Sequence, residues 1–581
     1  MKRVWSNLIA VQKYVFCNIP YSVIFLFCYM LVMGVLPAYQ TTLSAEVINL
    51  ISVQESSKII ENWETIFRYF EIFIGCYCLN QILTFFSALV INGRLFEKLQ
   101  ADQRRHLTEK TSRIGLFHYE KIEIRDLLKR AENCIDNECI GMTYYNFIHI
   151  FKYVIEIALL IVVLARYSIC LILPAIISTI PYFLIKKHFG SKSYRFSEEV
   201  LNIRKKVDYC WDVMDRVETI PEVRMTTGFE FLKGKWAEGR REVAEAKWKL
   251  KQQENNGTVI CEIVSFIGYA CSIFMCLMMV RSSIMSVGAF GAALTAFLSI
   301  QNAIKELLSN LGGLSEEVAY AGDFFVALGI SEEKVEGELR EKLDSITIKN
   351  GFFRYPGCRE NALKNINITI KKGERVAIVG ENGSGKTTLV KVLSGLYPLE
   401  SGKLLVNNGE YKNIFNHLAY VGQNFVRYKS SIRENVGISN LSKIGLDFEI
   451  EKQLQAVNFN EQMDLDMQLG KEFGGTDLSG GQWQRLAVAR ALFADKEWNI
   501  LDEPTSALDP NVENDILNYL VRIMKNKTTL IVAHRMGVCT LADRIIVMKD
   551  GSIVEQGSHK ELMKNEDVYY RLYTEQSKWY V

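Results

Sequence analysis

The 581-residue sequence lacks an excess of charge of either sign: 68 lysines and arginines face 66 aspartates and glutamates, a formal net charge of +2. That balance leaves no electrostatic case for nucleic acid as a partner. An ordered cysteine pattern is missing as well. The 13 cysteines are odd in number and scattered, and Cys28, Cys76, Cys78, Cys170, Cys271 and Cys276 fall inside apolar runs. Neither a zinc-ligand spacing nor the disulfide framework of a small secreted domain is visible, so they read as small buried hydrophobes. Nor is there a cleavable signal peptide, since Met1-Lys-Arg-Val-Trp opens with charge but continues polar through Ser6, Asn7, Gln12 and Lys13.

What is present is unevenly distributed. The hydrophobic share, 49%, is ordinary, but apolar residues crowd the N-terminal half as long runs while the C-terminal part alternates like an α/β domain. Six segments reach the ~20 mostly apolar residues that a spanning helix needs: about 16–39, 66–92, 147–166, 168–185, 258–280 and 283–304. The third and fourth abut, as do the fifth and sixth across Arg281 and Ser282, which predicts two tight hairpins. Lysine and arginine cluster at Lys2, Arg3 and Lys13, at Arg94, Lys98, Arg104 and Arg105, at Lys186, Lys187 and Lys192, and at Lys247, Lys249 and Lys251. The 41–64 loop instead carries Glu46, Glu55, Glu61 and Glu64 against Lys58. The positive-inside rule then puts both termini in the cytoplasm of a multi-pass cell-membrane protein, with the lipid bilayer as a partner.

The stretches between spans two and three and between spans four and five are long for loops. Their apolar spacing, at Leu127, Leu128 and Ala131 and at Val200, Leu201 and Ile203, predicts helices that continue beyond the bilayer. Pro174 and Pro181 in the fourth span each remove a backbone hydrogen bond and favour a bend, static or hinged. Glu156 in the third span and Glu71 in the second are ionisable groups where charge is costly, which makes them substrate-path candidates. Lys152 lies four residues before Glu156 and offers neutralisation; Asn80 and Gln81 could pair between helices.

Between Ser331 and Lys342 the chain turns charged, with Gly329 and Gly337 as breakers. This predicts a 329–342 linker joining a 1–328 membrane domain to a 343–581 soluble domain. In the latter, the apolar run Val376 to Val379 feeds Gly380-Glu-Asn-Gly-Ser-Gly385-Lys386-Thr387 and then a helical segment. Strand, glycine-rich loop and helix are the context of a P-loop, in which backbone N–H groups and the helix N-terminus cradle phosphates. After it come Gln423, Leu478-Ser-Gly-Gly-Gln482, Ile500-Leu501-Asp502-Glu503, Ser506-Ala-Leu-Asp509 and His534, the last following the apolar strand Leu530 to Ala533. Lys549-Asp550-Gly551 predicts a hairpin turn, and Ser558 with Glu561 a capping box.

The order and spacing of these motifs resemble the nucleotide-binding domain of ABC transporters from about Leu343 to the C-terminus. The long helical extensions resemble the exporter type, with coupling helices expected near Leu116 to Arg130 and Thr219 to Phe231. The resemblance implies a six-helix all-α transmembrane domain fused to an α/β P-loop domain, with ATP and Mg2+ as cofactors. It implies nucleotide contacts from Tyr355, Gly380, Asn382, Gly383, Ser384, Gly385, Lys386, Thr387 and Thr388. Across a dimer interface it implies contacts from Ser479, Gly480, Gly481, Gln482 and Asp509. Tyr355 would stack on adenine; the alternative is an aromatic that closes a strand against the sheet. Thr387, Gln423 and Asp502 would serve the metal. Glu503, beside the metal-binding aspartate, would act as general base on the attacking water, with Lys386, Gln423 and His534 completing the catalytic set.

A signature that works across an interface calls for a second half-transporter chain, as a homodimer or a heterodimer. Two departures from the family pattern stand out. Trp498 and Asn499 occupy the start of a strand that is usually aliphatic, and Glu472 lies six residues before Leu478 rather than five, which leaves its interdomain role open. The run Gln482-Trp483-Gln484-Arg485 is similar to exporters of lantibiotics and related peptides. A peptide cargo is therefore expected, with lipid or drug as alternatives and an ATP-gated non-transporting regulator as a reading of another class. The residues before the first span leave no room for an N-terminal peptidase domain, so removal of any leader peptide is expected to occur elsewhere.

Overall fold

The computed structural model describes residues 2–52, 63–282, 284–332, 339–410, 413–459, 464–503, 527–533 and 536–577. The chain divides into two units: Met1–Ser112 with Asp126–Ile330, and Arg113–Arg125 with Ser331–Val581.

The described part of the first unit is helical. Helix α1 spans Lys2–Asn18 and α2 spans Pro20–Ser52. The single run expected from residue 16 is thus two helices, because Pro20 starts a new helix at the position where its missing N–H costs nothing. Helix α1 is one-sided: Leu8, Val11 and Val15 are buried while Trp5, Ile9 and Phe16 are exposed. Helix α3, Trp63–Val90, continues through a π-helical stretch, Ile91–Lys98, into α4, Leu99–Thr111. Next come α5, Leu116–Tyr119, which folds with the second unit, and α6, Ile122–Asp136. The remaining helices are α7, Cys139–Tyr167; α8, Ile172–Asp215; α9, Ile220–Met225; α10, Gly228–Arg281; and α11, Val287–Leu328.

Six of the described helical stretches are long and apolar enough to cross a membrane. Helix α10 has 54 residues, about 80 Å at 1.5 Å per residue, against about 30 Å of hydrocarbon. The helix is therefore far longer than a span alone requires. Only one of the two prolines expected to disturb the fourth span does so. Pro174 sits in the first turn of α8, where no intrahelical N–H bond is due, whereas Pro181 lies inside the helix. The core of this unit places Ala289, Ala293 and Ala296 of α11 against Leu160, Leu164 and Leu171, small side chains that let helices approach closely. Gln301 of α11 donates to Ser178 Oγ at 2.9 Å and to Ser265 O at 3.0 Å, a buried polar clasp on α8 and α10.

The described part of the second unit is built on two sheets. One is a four-stranded antiparallel sheet ordered β2-β1-β4-β5, from β1 (Ser345–Phe353), β2 (Leu363–Lys371), β4 (Ser401–Val406) and β5 (Gly409–Glu410). The other is six-stranded, ordered β10-β9-β3-β8-β7-β6, from β3 (Arg375–Gly380), β6 (Leu418–Val421), β7 (Trp498–Asp502), β8 (Thr528–Val532), β9 (Arg544–Lys549) and β10 (Ser552–Gly557). Strands β9, β3, β8, β7 and β6 run parallel. Val376 and Ile378 face one apolar core while Ala377 and Val379 face the other, so β3 is buried on both sides and reads in sequence as a continuous apolar run. Strand β7 does begin at Trp498: the indole is fully buried and its Nε1 donates to Leu343 O at 2.8 Å, an anchor that an aliphatic residue could not make. The hairpin between β9 and β10 and the Ser558–Glu561 capping box fall where the sequence places them.

Candidate active site

In an open parallel sheet, ligands lie beyond the carboxyl ends of the strands, near the point where strand order reverses. Here the P-loop leaves the end of β3, Glu503 the end of β7, and Gln423 the end of β6; β8, between β3 and β7, leads toward position 534. The register aligns Tyr420 with Ile500, Val421 with Leu501, Asp502 with Val532 and Ile378 with Val532. Motifs separated by more than a hundred residues therefore share one sheet edge. His534 and Asp509 lie outside the described residues.

The P-loop has a backbone that only glycine can provide at two points. Gly380 has φ +149°, and a Cβ there would sit 2.2 Å from Met548 O; Gly385 has φ +98°, with a Cβ 2.8 Å from Ala362 O. A side chain at either would push the loop off the sheet. Gly383, at φ +80°, has nothing within 4 Å of a Cβ position, which leaves open room over the loop. Gly385 caps helix α12, Lys386–Leu393, without a side-chain bond, so the first N–H groups of α12 receive no side-chain cap and suit an anion. Ser384 is buried, yet its Oγ has no hydrogen-bond partner among the described residues, which suits a donor kept for a ligand. Asn382 and Gly383 are exposed.

Lys386 Nζ donates to Gly380 O and Glu381 O, each at 2.9 Å, which folds the ammonium back over the loop. Burial pushes its pKa below the ordinary lysine range, and the carboxylates of Glu503 and Asp502 oppose that shift. Thr387 Oγ1 donates to the buried Asp502 Oδ1 at 3.2 Å, which pairs a hydroxyl and a carboxylate at the mouth of the loop. One carboxylate, one hydroxyl and the oxygens of a bound phosphate make the kind of set that Mg2+ takes. Gln423 Nε2 donates to Glu503 Oε2 at 2.8 Å. Glu503 itself has φ +53°, and its N–H donates to Val532 O at 3.1 Å, so a left-handed residue ends β7.

Tyr355 is half-buried, its ring edge-on to Phe353 at 5.0 Å, and its hydroxyl lies 3.0 Å from Thr388 Oγ1. The signature forms the N-terminus of α13, Gly480–Phe493. Ser479 Oγ accepts from Gln482 N, and Gln482 Oε1 accepts from Ser479 N, a complete capping box. Ser479 and Gly480 face solvent, and Gly481 and Gln482 are half-buried. Glu472 forms an ion pair with Lys429, both about half exposed, and so engages a residue of its own unit.

Sequence reasoning passed over Tyr420 and Arg490. Both line a 440 Å3 cavity with Thr387, Lys391, Gln423 and Asp502. The Tyr420 phenol is pushed up to about 12 by burial and by Asp502. Arg490 Nε donates to Asn435 O at 2.9 Å, and its guanidinium lies 4.6 Å from the Tyr428 ring centroid. A lone arginine inside the small apolar run Ala487 to Leu492 was the available signal.

In the first unit, Glu156 is 8% exposed. Lys152 Nζ stands 3.9 Å from its Oε2, which accepts no hydrogen bond from the described residues. His149 lies one turn of α7 before Tyr153, with ring centroids 6.0 Å apart, and Lys152 Nζ stands over the Tyr153 ring at 4.5 Å. Glu71 is exposed on α3. Asn80 Oδ1 accepts from Thr84 Oγ1 within its own helix at 3.2 Å. At the tip between α8 and α10, Val217, Met225 and Phe231 are exposed.

The ABC transporter family model matches residues 363–506. The subtilin transport ATP-binding protein SpaT of Bacillus subtilis is 29% identical over 564 residues, 93% of this chain and 89% of that protein. The nisin transport ATP-binding protein NisT of Lactococcus lactis subsp. lactis is 34% identical over 322 residues, 52% of this chain and 53% of its own length. An ATP-dependent lipid A-core flippase of Pseudomonas aeruginosa is 34% identical over 328 residues, 54% of each chain. Among solved structures, a bacterial Atm1-family ABC exporter with ATP bound superposes with a TM-score of 0.74 at 20% identity, covering 94% of this chain and 97% of that one.

Proposed function

We propose that this chain works as an ABC transporter of the exporter type, an ATPase coupled to transport across a membrane, and that two copies form the working exporter, with a peptide as cargo. The observation that carries the dimer is the state of the signature. Its capping box is complete and its outer residues, Ser479 and Gly480, face solvent, while the P-loop keeps a buried Ser384 Oγ without a partner. Each chain thus offers two half-sites. A head-to-tail pair closes both, with the phosphates of ATP on the P-loop of one chain and the signature helix N-terminus of the other. The exposed apolar tip at Val217, Met225 and Phe231 gives the same chain a surface for its partner.

Within each site Lys386 binds and orients the β and γ phosphates. Thr387 and Asp502 would hold Mg2+, with Gln423 beside them, and the ion would supply charge neutralisation at the phosphates. Glu503 accepts a proton from the attacking water, and Gln423 holds its carboxylate in position. His534 and Asp509, outside the described residues, are assigned to complete the set. Both termini face the cytoplasm, where ATP is.

Similarity over 93% of the chain to a subtilin transporter necessarily includes the spans, whereas the flippase similarity covers 54%. The nisin transporter match covers 52%, so what favours a peptide over a lipid is the match along nearly the whole chain to the subtilin transporter. Glu156, buried and held by Lys152 without a hydrogen bond, is assigned to the cargo path. The test is reconstitution in liposomes with a cationic amphipathic peptide on the ATP side. Peptide accumulation across the bilayer supports the reading; ATP-dependent movement of a fluorescent lipid with no peptide movement overturns it in favour of a flippase. The mass of the purified chain in nanodiscs decides the assembly, and a stable monomer would sink the homodimer.

A further inference from the structure

The segment Arg113–Arg125 lies in sequence between the second and third spans, yet it folds with the second unit. What holds it there is an aromatic cluster centred on Tyr397. The Tyr397 ring is 1% exposed. It stacks on Phe353 with centroids 5.2 Å apart and planes at 5°, and it meets Tyr355 edge-on at 5.8 Å. From the segment, Phe117 packs against both Phe353, at 5.9 Å, and Tyr397, at 6.3 Å. The Tyr397 hydroxyl donates to Glu120 Oε1 at 2.5 Å and receives a bond from Lys391 Nζ at 3.2 Å. Lys391 belongs to α12, the helix that Lys386 begins.

Packing alone would be met by phenylalanine at 397. The hydroxyl brings a desolvation cost, which its two partners offset. Those partners are a carboxylate on a segment joined at both ends to the membrane helices and an ammonium on the P-loop helix. Tyr397 therefore touches the candidate adenine aromatic, the phosphate-binding helix and the 113–125 segment at once. Burial and the neighbouring Glu120 raise its pKa, so the phenol remains a donor.

We propose that Tyr397 is a positioning residue whose hydrogen bond to Glu120 carries the state of the nucleotide site into the 113–125 segment, and so into the helices that move cargo. The inference rests on the exporter reading above. Its test is amide hydrogen exchange on the full chain in nanodiscs, with and without Mg·ATP. In the unaltered protein, ATP should slow exchange in both the P-loop and 113–125. In Tyr397→Phe the P-loop should remain protected to the same degree while the 113–125 response is lost. Glu120→Gln, which keeps an acceptor oxygen, should behave like the unaltered protein, and Glu120→Leu like Tyr397→Phe. P-loop protection in the variants shows that they have folded. An unchanged 113–125 response in both Tyr397→Phe and Glu120→Leu overturns the proposal. Failure of ATP to protect the P-loop in the unaltered chain overturns the exporter reading instead.

Discussion

Gln423 Nε2 donates to Glu503 Oε2 at 2.8 Å, joining the second residue past β6 to the residue after β7 across neighbouring strand ends. The carboxylate is fixed twice, by this bond and by a left-handed backbone at φ +53°, a conformation that costs on the order of 1 kcal/mol or more and persists where the surroundings enforce it. Such a carboxylate has its lone pairs aimed before substrate arrives.

Glu503→Gln keeps the shape but cannot take a proton. ATP turnover should fall by about 100-fold or more, the usual span for a general base, while ATP affinity changes little. Phosphate release and equilibrium nucleotide binding, measured on the same preparation, separate the two effects. Turnover at the normal rate would contradict the assignment.

Thr387 Oγ1 bonds to Asp502 Oδ1 at 3.2 Å. Thr387→Ala removes the hydroxyl and should raise the Mg2+ concentration for half-maximal turnover by about 10-fold or more, given ~1.5–3 kcal/mol for a bond to a charged group. Thr387→Ser should restore it. Chelation of Mg2+ should stop turnover in all three proteins, and an unaltered Mg2+ requirement in Thr387→Ala would remove this residue from the metal's surroundings.

Thr529 is fully buried in β8, and its Oγ1 has no hydrogen-bond partner among the described residues. Thr529→Val replaces that hydroxyl with a methyl of similar shape and should stabilise the second unit by about 1 kcal/mol. The thermal transition that ATP shifts reports on this unit; it should rise by a few degrees. A fall would mean that the hydroxyl is satisfied after all, most directly through its cross-strand neighbour Asn499, whose Nδ2 is also unpartnered.

Much of this site was legible in advance because its chemistry is local. Gly380, Gly385 and Lys386 are fixed by backbone geometry within one loop, and the Val376 to Val379 run announced the strand that feeds it. The strand order was not legible. Parallel strands are joined by long crossovers, so nothing in the sequence says that β6 sits beside β7 or that Gln423 meets Glu503. Trp498 looked like a disturbance because its partner, Leu343 O, lies 155 residues away. Pro174 and Pro181 looked equivalent because a helix start is uncertain by a residue or two. The family resemblance placed a coupling helix near Leu116 to Arg130, but what anchors 113–125 in the second unit was not legible, because Tyr397 lies more than 270 residues downstream.

The strictest test of architecture uses two variants that are each inactive. Lys386→Ala disables the P-loop, and Ser479→Arg puts a long cation at the helix N-terminus that would meet the phosphates. If P-loop and signature of different chains make one site, a mixed pair combines both lesions in one site and leaves the other site intact. Co-expression with two affinity tags, followed by sequential purification, isolates that mixed pair. It should hydrolyse ATP, although neither parent does. If instead each chain completed its own site, the mixed pair would be as inactive as its parts, and the exposed Ser479 and Gly480 would need a different explanation.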